Sequence, residues 1–293
     1  MNNFALDEKY LEIILRRIEI CKAYKPKFGQ GKSVSLEEFE VIYRNDSFYS
    51  WFGLNDPLIY AAHKAAGGIT SLYRQIGLGC ETVFREVIRE QLRLTPEQAR
   101  WSYKVKGAKD KERTLYLDAR IETNYIANPE RREKFQQWFQ NAAQFMNLDA
   151  NVARALKGAV FEVRQGYKSK DSKRQNADIG NAGNAYANGY LPIVAVLSSQ
   201  IDNDIVTRYR NAGWLLLLGN LNPSPIDSVY SFCKEVLDYD LAEFFKRNSK
   251  KLQKTVSEIM QTLLSPESVE LPKEIQAVVD KELATDENEQ TET

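Results

Sequence analysis

Histidine is almost missing from this chain: His63 is the only one in 293 residues. Ser/His/Asp and Cys/His triads both need an imidazole base, so neither is open unless His63 supplies it. That residue follows Pro57-Leu58-Ile59-Tyr60-Ala61-Ala62 in an apolar helical stretch, where packing is the expected role. Cysteine is nearly as scarce. Cys21, Cys80 and Cys233 are odd in number, far apart and without CxxC spacing, which excludes a disulfide framework and a zinc site. No apolar run is long enough to span a bilayer. The start, Met1-Asn2-Asn3-Phe4, has no basic segment leading into an apolar stretch, so a cytoplasmic protein without membrane partners is expected. Neither charge is in excess, because 40 Lys+Arg balance 40 Asp+Glu, and this argues against non-specific coating of nucleic acid. An enzyme of this composition works with acids, basic side chains and metal.

What is present is globular. Apolar residues make up 43% and charged residues 27%, near the averages of folded domains, and the length suits one large domain or two small ones. Charge is unevenly placed. From Arg164 to Arg174 the bases Arg164, Lys168, Lys170, Lys173 and Arg174 face one acid, Asp171, a candidate phosphate-binding surface. The end of the sequence carries Asp286, Glu287, Glu289 and Glu292 without a base, the pattern of a solvated tail.

Periodicity organises the rest. Leu6, Tyr10, Ile13, Ile14, Ile18 and Cys21 recur at helical spacing. Ser35-Leu36-Glu37-Glu38 and Asn55-Asp56-Pro57 predict helix starts, and Gly67-Gly68 predicts a break before a helix from Thr70 to about Leu94. Alternation at Trp101, Tyr103 and Val105, and again at Leu115, Leu117, Ala119 and Ile121, predicts a β-hairpin. A helix follows Asn128-Pro129-Glu130, and Gly158 to Arg164 predicts a strand with an acid inside an apolar run. Small residues at Ala177, Ala182 and Ala185 predict a helix over 175–189. Leu191 to Leu197 and Trp214 to Leu218 predict buried strands, with helices over 202–211 and 227–245. The order of elements predicts an α/β fold, a mixed central sheet flanked by helices. Its expected parts are a helical region over 1–69, a core over 70–219 with an inserted helix over 129–147, a helical region over 220–284 and an acidic tail over 285–293.

The chemistry concentrates in Phe161-Glu162-Val163-Arg164-Gln165-Gly166-Tyr167-Lys168-Ser169-Lys170-Asp171-Ser172-Lys173-Arg174-Gln175-Asn176. Alternation along a strand puts Glu162 and Arg164 on one face about 7 Å apart. An acid there can bind a metal, and a cation there can approach a phosphate. The plainer reading is an ordinary acid–arginine pair beside a solvated basic loop. The conjunction of a buried strand, its charged end, a basic loop with Ser, Gln and Asn, and a small-residue helix favours chemistry. A metal ligand at a strand end is expected to matter to the reaction more than to packing.

This segment, with the helix and apolar strand behind it, resembles the third core strand, the following helix and the fourth strand of the PD-(D/E)xK fold of type II restriction endonucleases. The resemblance runs from about Thr70 to Leu218, roughly half the chain. Gly77-Leu78-Gly79-Cys80-Glu81 with Arg85 resembles the first core helix of those enzymes, whose glutamate often faces the active site, and the Tyr-Lys-Ser-Lys-Asp-Ser-Lys-Arg-Gln-Asn run resembles an ApaLI-like subgroup. One departure stands out: the family motif carries lysine two residues after the acid, and this chain has Arg164. Lys168 shares the parity of Glu162 but lies about 20 Å along a straight strand, so it reaches the same phosphate only through a bulge at Gly166. Two acids are candidates for the second ligand. Asp118 lies in the preceding strand, where the family places its aspartate. Asp149 lies thirteen residues before Glu162, nearer the usual spacing, but in a context suited to a helix cap. Asp118 is preferred.

The resemblance implies Mg²⁺-dependent hydrolysis of double-stranded DNA at specific sites. Asp118 and Glu162 would hold metal, Glu81 a metal-bound water, and Arg164, or Lys168 in its place, would neutralise the phosphate or orient the water. Lys170, Lys173 and Arg174 would grip the backbone, and Gln175 and Asn176 would suit a base edge. It also implies a homodimer and a cognate DNA methyltransferase acting on the same site. The alternatives are a non-catalytic DNA-binding or scaffold protein, and a repair or recombination nuclease on the same fold.

Overall fold

The first helix covers most of the apolar spacing from Leu6 and begins at Asn3. In the computed structural model, which describes residues 3–106, 112–167 and 172–267, α1 (Asn3–Glu19) is followed by α2 (Leu36–Asn45), α3 (Ser47–Trp51), α4 (Pro57–Leu92) and α5 (Pro96–Ala99). Strands β1 (Trp101–Lys106), β2 (Glu112–Leu117) and β3 (Ala119–Glu122) come next, then α6 (Pro129–Phe145), α7 (Ala150–Ala155) and β4 (Gly158–Arg164). The order closes with α8 (Ser172–Ala187), β5 (Tyr190–Val196), α9 (Asn203–Asn211), β6 (Leu215–Leu217), α10 (Val229–Ser231) and α11 (Leu241–Leu264). The chain is a mixed α/β protein. Among the described residues no helix is long and apolar enough to cross a membrane.

Two compact units divide the chain, one from Met1–Tyr10 with Cys80–Arg247, the other from Leu11–Gly79 with Asn248–Thr293. The described residues of the second unit form helices and their connections. Its aromatic core packs Val34, Phe39 and Tyr60 with Phe28 and Tyr43, and the Ser35–Glu38 capping box starts α2 with reciprocal bonds of 3.2 and 2.9 Å. Gly67-Gly68 does not break α4, contrary to the sequence expectation. A Cβ at Gly67 would stand 1.9 Å from the Tyr24 hydroxyl, and one at Gly68 would stand 2.4 Å from Leu263. The glycines therefore admit neighbouring side chains to the helix surface, at a modest helical cost. Lys64, 1% exposed, donates to the carbonyls of Thr262, Ser265 and Glu267 at 3.0, 3.1 and 2.6 Å. A buried ammonium thus satisfies carbonyls that a helix end leaves open.

The first unit holds the two sheets found among the described residues. β1 and β2 pair antiparallel, and a four-stranded sheet runs β3-β4-β5-β6, antiparallel at β3–β4 and parallel elsewhere. The expected hairpin is present, but its second strand bends at Asp118, so β2 joins β1 while β3 joins β4. Every residue of β4 and of β5 is buried, as continuous apolar runs require. On one face Val160, Val194, Val196 and Leu216 pack with Trp101 and Tyr103 of β1, Ala182 and Ala185 of α8, and Ile205 and Tyr209 of α9. On the other face Phe161 meets Phe84 of α4 and Phe232, at centroid separations of 5.4 and 5.6 Å. The helix expected over 227–245 is instead α10, a π-helical turn over Phe232–Val236 and the start of α11. Asp238, at φ 56°, lies between them, a left-handed backbone that no continuous helix accommodates.

Candidate functional site

Register builds the site. Ala119 pairs with Phe161 across β3 and β4, and one further step sets Asp118 opposite Glu162. Asp118 N–H donates to the Phe161 carbonyl at 2.9 Å, and the Asp118 carboxylate accepts the Val163 N–H at 2.7 Å. Its carbonyl accepts Nη1 of Arg85, from α4, at 2.9 Å. Asp118 is thus fixed beside the peptide that joins Glu162 to Arg164.

Glu162 and Arg164 point to the face of β4 that α8 and β1 cover, since their register partners are Val194 and Val196. Both are buried, at 7% and 9% exposure, and they form an ion pair with each other. The expected two-residue juxtaposition on one strand face is therefore present, as a closed pair. Tyr103 of β1 adds a phenol to this face. Its hydroxyl donates to Oδ1 of Asn181 on α8, and burial, with the Glu162 charge adding, raises it above its ordinary value. Burial lowers the Arg85 guanidinium, against the charges of Asp118, Glu86 and Glu81. Glu81 lies one helical turn before Arg85 on α4 and is partly buried.

Other expected residues lie elsewhere. Asp149 is the N-cap of α7, its carboxylate accepting from the N–H groups of Asn151 and Val152 at 2.8 and 3.4 Å. Lys168 and Lys170 lie outside the described residues. Lys173, Arg174, Gln175 and Asn176 belong to the first turns of α8, and their side chains lie outside what is described. The helix starts at Ser172 rather than Gln175, so Gln175 and Asn176 are inside it and do not cap it. Gly166 abuts Ser198: a Cβ there would lie 3.0 Å from the Ser198 Cβ. Tyr103, Asn181 and the carbonyl contact of Arg85 are the members that sequence reasoning did not assign. Only the inward parity of Tyr103 on its strand offered a signal.

Among the described residues no three His, Cys, Asp or Glu side chains converge as a metal-ligand group. The donor set nonetheless fits Mg²⁺, which takes oxygen ligands, commonly uses only one or two carboxylates and keeps several waters. Asp118, at the bend before β3, and Glu162, on β4, are the two carboxylates that could serve it. A thiol or imidazole metal finds no such set, since Cys80 and Cys233 are buried and His63 lies in the helical unit against Phe28. No protein-family model, no curated protein and no solved structure matches this sequence.

Proposed function

We propose that this chain is a Mg²⁺-dependent endonuclease of the PD-(D/E)xK type that hydrolyses phosphodiesters of double-stranded DNA at specific sites, as a type II restriction enzyme does. The observation that carries the reading is the Asp118 carboxylate held on the Val163 N–H at 2.7 Å, between Glu162 and Arg164. An acid at the bend before β3, beside an acid–cation couple on β4, suits the binding of a metal and a phosphate together. Asp118 and Glu162 would hold the ion, with Glu81 toward a bound water. When bound, Mg²⁺ supplies charge to the phosphoryl oxygens and acidifies a water. Arg164, released from Glu162, neutralises the charge that grows on the phosphate, with Lys168 as the alternative cation. Lys170, Lys173 and Arg174 grip the backbone while Gln175 and Asn176 address a base edge. A homodimer on a palindromic site, a cognate methyltransferase and a cytoplasmic location accompany this reading.

The closed Glu162–Arg164 pair favours a second reading, a DNA-binding protein in which the couple is structural. Incubation with plasmid DNA and Mg²⁺ separates the two. Discrete fragments support the restriction enzyme, nicking or a smear indicates a structure-directed nuclease, and intact DNA with a gel shift indicates a binder.

A further inference from the structure

The bend at Asp118 is a weak point in the sheet, because it separates β2 from β3 and leaves the residue outside both strands. Asp118 is partly buried, and a backbone carbonyl that the strand ladder leaves open there is satisfied by a partner. Arg85 provides one from the facing helix, at 2.9 Å. Consecutive residues of α4 touch this region, Phe84 packing on the Phe161 ring at 5.4 Å and Arg85 bonding the residue whose N–H meets the Phe161 carbonyl. The helix thereby registers the bend against β4. A guanidinium suits this task better than an ammonium, because its planar fork holds a fixed direction and it keeps its charge when buried.

We propose that Arg85 is a positioning residue: its bond to the Asp118 carbonyl holds the bend so that the Asp118 carboxylate stays on the Val163 N–H. The inference rests on the reading of Asp118 and Glu162 as the reactive acids for its functional consequence, though not for its geometry. Arg85 touches neither DNA nor metal in this role. Its loss would let the Asp118 backbone turn, and the carboxylate would leave the strand that carries Glu162.

Amide hydrogen exchange at Val163 in the full chain, without added metal, reads the geometry directly, and plasmid cleavage with Mg²⁺ reads the consequence. Arg85→Ala is expected to accelerate exchange at Val163 by about tenfold or more, the worth of one charge-assisted bond, while Val194 in β5 keeps its protection. Arg85→Lys, which retains a donor and a charge, is expected to restore part of the protection and part of the cleavage. Unchanged exchange at Val163 in Arg85→Ala overturns the inference, even if the wild-type chain cuts DNA. Accelerated exchange in a protein whose wild type does not cut leaves the positioning role standing and removes the nuclease reading. Should Arg85→Ala loosen Val194 as well, Arg85→Gln takes its place on the same terms: selective acceleration at Val163 supports the role, and none overturns it.

Discussion

The carboxylate of Asp118 accepts the backbone N–H of Val163 at 2.7 Å, which ties the bend between β2 and β3 to the strand that carries Glu162 and Arg164. This bond sets the acid of the bend beside the residue that follows Glu162 on β4. Each acid depends on a different support, Asp118 on backbone groups and Glu162 on a paired arginine.

Asp118 and Asp149 should separate cleanly by substitution. Asp118→Asn keeps an oxygen for the Val163 N–H but removes the charge, so cleavage should fall by at least about 100-fold with little change in melting temperature. Asp118→Ala should add a stability loss of roughly 1.5–3 kcal/mol for the missing charged acceptor. Asp149→Ala removes only a helix cap, at roughly 0.5–2 kcal/mol, and should leave cleavage intact. Full cutting by Asp118→Asn with loss in Asp149→Ala would reverse the assignment.

Gly158 should tolerate no side chain. A Cβ there would stand 2.0 Å from the Ile121 carbonyl oxygen and 2.9 Å from the Glu122 Cα, both backbone atoms of the paired strand. Gly158→Ala should therefore destabilise by about 1–3 kcal/mol or more, as read by thermal unfolding. It should also lower cleavage through the shifted β3. An unchanged melting temperature would show that β3 yields without cost.

Much of this was legible because local rules and tertiary structure agree. The alternation at Trp101 and Tyr103, the continuous apolar runs of β4 and β5, and the Ser35 cap each predict an element that forms. Gly67-Gly68 misled because the same two residues that loosen a helix also admit Tyr24 and Leu263 to its surface, and close packing prevailed over propensity. The break before α11 was hidden because the left-handed turn at Asp238 carries no glycine. In the site, parity along β4 placed Glu162 and Arg164 together, and the closed ion pair that they form is the plainer of the two sequence readings. Spacing could not show that a helix more than thirty residues away would bond the Asp118 carbonyl.

Alkaline titration should reveal a class of late tyrosines. Burial pushes Tyr186, Tyr190 and Tyr230 each up to about 12, whereas a free phenol ionises near 10. The folded value is the higher one, so these groups contribute stability that is complete below about pH 10 and lost as pH rises through 12. Phenolate absorbance should therefore rise in two steps, the second coinciding with loss of folded-state circular dichroism. A single step near 10 with the fold intact would contradict their burial.

The basic segment should divide by its response to salt. Each residue that neutralises a phosphate adds about 0.9 to the slope of log affinity against log salt. Lys170→Ala or Lys173→Ala should weaken binding to every duplex alike and flatten that slope by about one. Gln175→Ala and Asn176→Ala should instead reduce preference for the cognate site by about 1–3 kcal/mol at one position. Because α8 begins at Ser172, neither change removes a helix cap. Undiminished preference for the cognate site in both variants would place base reading elsewhere.

The Glu162–Arg164 pair yields the prediction that most separates chemistry from packing. The expectation that a strand-end ligand is dispensable to the fold does not suit residues that are 7% and 9% exposed and bound to each other. Removing one partner of a buried pair typically costs about 3–5 kcal/mol, because the other charge loses its counterion. Glu162→Ala should therefore lower the melting temperature as well as abolish cleavage, which makes it a poor test of catalysis by itself. Glu162→Gln keeps the shape and an acceptor for the guanidinium, so most of the stability should survive while cleavage is lost. Combining Glu162→Gln with Arg164→Met should recover stability relative to Arg164→Met alone, since the remaining buried charge is gone; a double-mutant cycle on thermal unfolding measures that coupling. Arg164→Lys keeps a positive charge but no fork, and on the proposed reading should keep a reduced rate of cleavage. Wild-type cutting by Glu162→Gln would mean that the couple only holds the sheet, and the reactive acids would have to be sought away from β4.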